Sequence, residues 1–317
     1  HRRHLRVLRV KVFLTFWVRN KKSNSSFFYK SGMLIANSYQ DSDEDFLMFS
    51  VIKTGMATAL HELKVISNNI SNANSTAYKK SSVSFSELFN GRTADAVETS
   101  LLGKGSNVEE TRRSDGQGSL ISKGGVLDLA LVGNGYFVTK KNNDLSFGAT
   151  RNGAISLDAN GFLKSSNGGF LMGAVAVDDA FVDTPVANVD VFQSIRIPFD
   201  EYEGPLSNLS VEDNGNVTAT FGNDKVALAT IGLVSFSNPN GLKQKADGTF
   251  GVTEKSGQIS VGNPGSLGFA SIKSGHIEGS NVDVTEEMTN MIKAQQQFNG
   301  AARMMQANSD MIEKLTR

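Results

Sequence analysis

Residues 49 to 70 read FSVIKTGMATALHELKVISNNI. Within this stretch Phe49, Ile52, Met56, Ala59, Leu63, Ile66 and Ile70 follow one another at alternating spacings of three and four. That is the heptad seam of a helix packed lengthwise against another helix. At 1.5 Å per residue the predicted helix is about 33 Å long. It stops where Asn68, Asn69, Ser71, Asn72, Asn74, Ser75 and Thr76 offer side chains that compete for backbone hydrogen bonds. Extended sequence begins at Tyr78, with Val83, Phe85, Leu88 and Phe89 as anchors.

A second stripe lies at the other end of the chain. Met288, Met291, Phe298, Ala302, Met305 and Ile312 share one helical face, with Gln295 and Ser309 at the seam positions between them. Asp283 followed by Glu286 marks the helix start, Thr285 being the competing N-cap. Lys314 and Arg317 suit its C-terminal end. Neither stripe can be covered by its own helix, so the two must meet each other or the same helices of neighbouring copies. The predicted subunit-interface set is therefore Ile52, Met56, Ala59, Leu63, Ile66, Asn69, Ile70, Met288, Met291, Phe298, Ala302, Met305 and Ile312.

Between the stripes the chain is punctuated by glycine. Leu127, Leu129 and Leu131 alternate with Asp128 and Ala130, predicting a strand with one buried face. Gly133-Asn134-Gly135 then makes a turn before Tyr136, Phe137 and Val138. Turns at residues 151–153, 158–161 and 166–169 are spaced for a meander, and similar punctuation recurs at 213–215, 222–224, 239–241 and 247–248. The expected fold is mixed and mainly β. A central all-β body, meander- or barrel-like, spans residues 81 to 279. N- and C-terminal α-helices from residues 48 to 80 and 280 to 317 pair as a coiled-coil-like domain. Residues 178 to 205, irregular and acidic, read as a loop or truncated insertion site.

The chain of 317 residues is formally neutral, yet residues 1 to 46 carry nine Lys or Arg against Asp41, Asp43, Glu44 and Asp45. The apolar run Val10 to Val18 inside this opening is interrupted by Lys11 and too short to span a bilayer. Residues 1 to 47 are expected to be a disordered extension or a mis-called start, with the working protein beginning near Met48. The remainder is acidic and shows no basic, aromatic-interleaved face, so nucleic acid is not an expected partner. The chain contains no cysteine, which excludes disulfides, thiolate metal sites and a Cys nucleophile.

Enzymatic readings find no support. His61 and His276 lie far apart without metal-ligand spacing, and no G-x-S-x-G elbow is present. Gly103-Lys104-Gly105 and Gly133-Asn134-Gly135 lack the further glycines and the following helix that phosphate cradling needs. Asp178, Asp179, Asp200, Glu201 and Glu203 read as a solvated acidic loop. No cofactor and no small-molecule substrate is expected.

Four motifs carry a resemblance. Residues 65 to 79, VISNNISNANSTAYK, resemble the N-terminal signature of the bacterial flagellar rod and hook axial proteins. Ala77 stands where that family usually has Gly, and its Cβ penalises the positive φ a glycine would take. Gly133 to Phe137, then Thr150 to Gly153 with Leu157 to Leu163, are similar to the family's central β motifs. Gly275 to Asp283 resembles its approach to the final helix, and Ala294 to Phe298 that helix's interior. The resemblance covers Met48 to Arg317. It implies a non-enzymatic subunit of the hollow flagellar axis, located in the basal body or hook and needed for motility. It also implies export by the flagellar type III apparatus without a cleaved signal, and polymerisation with itself and with adjacent rod, hook or junction proteins beneath a cap. Ser84 to Phe89 and Phe236 to Leu242 look like hook subunits, whereas the compact size fits a rod subunit; the expectation is hook-type, with rod the alternative. A secreted β-rich adhesin whose terminal helices dimerise is the alternative from another class.

Overall fold

The structure is a computed structural model that describes residues 25–88, 103–141, 147–176, 180–181, 189–200, 202, 204–245 and 247–316, with side chains from Met48 onward. Contacts divide the chain into two compact units. One comprises His1–Thr58, Ser86–Asn107 and Gln297–Arg317; the other comprises Ala59–Phe85 and Val108–Gln296.

Two long helices contribute to both units. The first, α1, runs Ser25–Ser71 and the second, α2, runs Val284–Thr316. The predicted end of α1 at the Asn-rich stretch holds. Its start does not: the helix continues to Ser25, because residues 25 to 48 contain no proline and a single glycine to interrupt it. Residues 1 to 24 lie outside the described residues. The start of α2 is capped as expected, with Asp283 Oδ1 accepting from the backbone N–H groups of Thr285 (2.8 Å) and Glu286 (3.2 Å). Those bonds favour the carboxylate and lower the Asp283 pKa.

The second unit holds the β body, whose strands from Leu120 to Glu278 pair antiparallel among the described residues. Its largest sheet runs in the order Leu206–Val211, Asn216–Phe221, Asp224–Ile231, Phe170–Val175, Tyr136–Lys140, Gly148–Thr150, Phe250–Gly251 and Lys243–Gln244. Ile155–Leu157, Leu163–Ser165 and Phe170–Val175 pair in succession, the meander that the turn spacing predicts. Among the described residues the path does not close on itself, so the body is an open branched sheet and the barrel-like alternative is set aside.

The sheet is covered on both faces. Phe137 and Leu171 join one apolar cluster with Leu129, Leu163, Ile195 and Ile231, while the alternating neighbours Tyr136, Val138 and Met172 join a second with Phe236 and Phe250. The one-sided burial expected of residues 127 to 131 is thus corrected: Ala130 is as buried as Leu129 and Leu131, in a strand paired residue by residue with Ser271–Ser274. The later part of 178 to 205, largely irregular, nevertheless contributes to the core. Phe192, Ile195 and Ile197 are core residues, and Gln193–Ser194 pairs with Met172 and Gly173. An acidic composition around them conceals their apolar alternation. Asp178, Asp179, Glu201 and Glu203 lie outside the described residues.

One surface ion pair yields a pH prediction. Asp247 Oδ2 meets Lys141 Nζ at 2.7 Å, and its Oδ1 accepts from the Thr249 N–H at 3.1 Å. Partial burial alone would raise this carboxyl, but the bonds from Lys141 and Thr249 outweigh it and hold the pKa at about 2, below the ordinary 3.8. A depressed carboxylate stabilises the fold above its unfolded pKa and loses that contribution as pH falls through the folded value. Acid unfolding monitored by circular dichroism should therefore show Asp247→Asn losing stability relative to the parent near neutrality, the difference vanishing between about pH 4 and pH 2. A difference that grows on acidification contradicts this reading.

Candidate assembly surface and its polar junction

The chain must leave α1 and enter the strand Ser81–Glu87 within nine residues. Asn69 bridges the two: its Nδ2 donates to Ser81 O (2.8 Å) and its Oδ1 accepts from Ser81 N (3.0 Å), so one side-chain amide substitutes for a strand partner. The same Nδ2 reaches Glu287 Oε2 at 3.0 Å and ties α1 to the first turn of α2. Tyr78 donates its hydroxyl to Asn69 Oδ1; burial, and then the nearby Glu287 charge, raises the Tyr78 pKa.

Ala77 makes the reversal. Its φ is +58°, the sole positive value at a non-glycine among the described residues, and its N–H donates to Glu278 O at 2.8 Å. The alanine thus adopts the backbone that the family's glycine would, at a cost of about 1–2 kcal/mol from Cβ crowding. Ala77→Gly should raise stability by roughly 0.5–1 kcal/mol, the relief being partly offset by glycine's greater unfolded-state entropy. Urea titration measures it, and a loss of stability would show that the Ala77 methyl contributes more by packing than it costs in strain.

Two residues on, the junction becomes ionic. Glu278 is fully buried and holds two buried cations: Lys79 Nζ lies 2.5 Å from Oε1 and Arg151 Nη1 lies 3.3 Å from Oε2. Gly118 N–H donates to Oε1 at 2.9 Å. Lys79 also donates to Gly116 O and Arg151 to Gly133 O, and the guanidinium stands 5.3 Å from the Tyr136 ring centroid. Burial lowers the Lys79 pKa; Glu278 pulls it back upward and Arg151 lowers it further. Asn281 closes the arrangement, its Oδ1 accepting from Lys80 N at 2.7 Å and its Nδ2 donating to Gly116 O at 2.9 Å.

The α1 seam keeps its expected setting, whereas that of α2 is rotated by one residue. On α1 the buried apolar positions are Ile52, Ala59 and Ile66, seven residues apart, accompanied by Thr58 and Asn69. Met56, Leu63 and Ile70 are half-buried. On α2 the buried positions are Glu287, Ala294, Ala301 and Asn308, again seven apart, one residue before the expected 288, 295, 302 and 309. Met291, Phe298, Ala302 and Met305 are half-buried, while Met288 and Ile312 are exposed. On α2 two of the four buried positions are alanines, and the larger apolar residues lie on the flanks. Ile52, Ala59, Ile66 and Asn69 are therefore covered within a single chain. Larger apolar residues, Met288, Ile292, Met304 and Met311 among them, remain exposed on α2.

Three family models match the chain in order. A flagellar basal body rod protein model covers residues 51–79, a flagellar hook protein FlgE/F/G D1 domain covers 130–219, and a flagellar basal body rod FlgEFG C-terminal model covers 273–317. The chain belongs to the flagellar rod and hook axial protein family. Among its relatives, the basal-body rod protein FlgG of Agrobacterium fabrum is 29% identical over 275 residues, spanning 83% of this chain and 95% of the relative. FlgG of Bacillus subtilis is 29% identical over 273 residues, with the same coverage. The hook protein FlgE of Borreliella burgdorferi is 34% identical over 115 residues, 36% of this chain and 26% of the relative.

This axial-family match and the ionic junction are linked. Lys79 ends the first matched segment, Tyr136 and Arg151 lie in the second, and Glu278 lies in the third. The segments that define the family converge on one carboxylate. Sequence reading found each motif but not their meeting point. The available clue was the presence of complementary charges, Lys79, Arg151 and Glu278, inside motifs otherwise poor in charge.

Proposed function

We propose that this structural subunit of the flagellar hook–basal body is a rod-type protein that polymerises through the outer faces of α1 and α2. The observation that carries the reading is exposure of large apolar side chains on an ordered helix: Met288 (51%), Ile292 (56%), Met304 (56%) and Met311 (56%). Apolar area covered by a neighbour contributes about 25 cal/mol per Å². Loss of side-chain freedom offsets part of that gain.

A rod rather than a hook identity is favoured by length. Rod relatives align across 93–97% of themselves, hook relatives across 26–37%. The hook-like stretch Phe236 to Leu242 does not weigh against this, because it serves packing of this chain's own body: Pro239 O accepts from Arg113 Nη2 at 2.6 Å, and that guanidinium lies over Phe250. Neighbouring axial proteins, a cap and the flagellar export apparatus are the proposed partners. Labelled protein in purified hook–basal bodies tests the assignment. Label confined to the ring-bearing rod fits it; label along the external hook restores the hook reading, and absence of label from both refutes an axial role.

A further inference from the structure

An asparagine followed by glycine can lose its side-chain amide without an enzyme. The next backbone nitrogen closes a five-membered ring on the Asn side-chain carbonyl carbon, and glycine has no Cβ to obstruct the approach. The turns of the β body carry six such pairs, at Asn134, Asn152, Asn160, Asn167, Asn214 and Asn240. A nitrogen whose N–H is already held must give up that bond before it can attack. Four of the six pairs are guarded in this way: the N–H groups of Gly161, Gly168, Gly215 and Gly241 donate to the carbonyls of Asp158 (2.9 Å), Ser165 (2.9 Å), Glu212 (2.9 Å) and Asn238 (3.1 Å). Asn152 is guarded at its side chain, where Oδ1 accepts from the Ala154 N–H at 3.1 Å and Nδ2 donates to Ser166 Oγ at 2.8 Å.

Asn134 has neither guard. Its side chain is exposed and, like the Gly135 N–H, makes no hydrogen bond among the described residues. Gly135 is buried, so ring closure, which consumes its N–H, removes a donor that has no acceptor. The surroundings favour the attacking nitrogen as well. The Asn134 carbonyl accepts from the Ala270 N–H at 2.8 Å, and the Arg151 guanidinium donates to Gly133 O at 2.9 Å. A donor on the same peptide and a cation one peptide away both stabilise the negative charge that the Gly135 nitrogen carries as it attacks.

We propose that Asn134 is a site of spontaneous deamidation through a succinimide shared with Gly135. The Gly135 nitrogen loses its proton and bonds to Asn134 Cγ; the Cγ–Nδ2 bond breaks, and Nδ2 leaves as ammonia with that proton. Water then opens the ring at either carbonyl, leaving an aspartyl or an isoaspartyl residue at position 134. Either product places a new carboxylate next to the carbonyl that Arg151 holds, in competition with Glu278 for the guanidinium. The isoaspartyl form also adds one carbon to the main chain of the loop.

The test follows the folded full-length chain at mildly alkaline pH by peptide mapping in a mass spectrometer, which reads the amide-to-acid mass gain at each Asn-Gly pair. Asn134 should convert about tenfold faster than Asn160, Asn167, Asn214 and Asn240, the factor that one hydrogen bond at the upper end of its net strength supplies. In concentrated guanidinium the peptides should convert at similar rates, because the guarding bonds are gone. Asn134→Gln, whose ring would need a sixth member, should silence the site and leave urea unfolding unchanged, since the replaced side chain is exposed and unbonded. Conversion at Asn134 no faster than at the four guarded pairs overturns the proposal. An equal advantage for Asn134 in guanidinium overturns it too, by assigning the difference to local sequence and not to the fold.

Discussion

Replacing Glu278 with Gln should destabilise the second unit by about 3–5 kcal/mol, the cost expected when one partner of a buried ion cluster is removed and its counter-charges stay behind. Glu278 is fully buried, and Lys79 and Arg151 are nearly so. The substituted amide can keep one hydrogen bond but cannot neutralise two cations, and its NH₂ group faces donors. Lys79→Met alone should cost less, because Arg151 remains to balance the carboxylate. The double variant should lose less than the two single losses combined, since the residues interact directly. Urea unfolding followed by circular dichroism measures all three. A loss below about 1 kcal/mol for Glu278→Gln would mean that the cluster is not closed to water. The junction binds the end of α1 and the approach to α2 to the body, so its rupture should also impair assembly in proportion to the stability lost.

The second large effect is expected on assembly without an effect on folding. Ile292→Asp places a charge on a side chain already 56% exposed, so unfolding free energy should stay within about 0.5 kcal/mol of the parent. Polymerisation should be abolished, because burying an unpaired carboxylate in an apolar contact costs more than the contact supplies. Sedimentation at concentrations that polymerise the parent, with thermal unfolding of the dilute protein as the folding control, separates the two effects. Pelleting like the parent would remove this face from the assembly surface. Leu63→Asp and Met291→Asp, which the heptad pattern alone suggests, are poorer probes. Both residues are half-buried within the single chain, so an aspartate there disturbs the subunit as well as its contacts.

Periodicity and local chemistry made much of this protein legible. The three-four spacing after Phe49, the Asn-rich stop, the Asp283 cap and the glycine turns each specify structure through neighbours a few residues away, and each appears in the fold. Distance along the chain hid the rest. A heptad pattern shows that a helix has an apolar side, but the rotation that faces a partner depends on how closely the backbones approach. Here Ala294 and Ala301 take the buried positions, and larger residues such as Met288 remain outside. The bonds at Glu278 join residues 199 and 127 positions apart, and no local rule pairs them. The residues alone therefore determined most of the elements, the stop of α1, the cap of α2 and the family resemblance. Which faces are buried, which charges meet and which apolar side chains stay exposed were settled by packing in three dimensions, because burial is a property of what surrounds a side chain and not of the side chain itself.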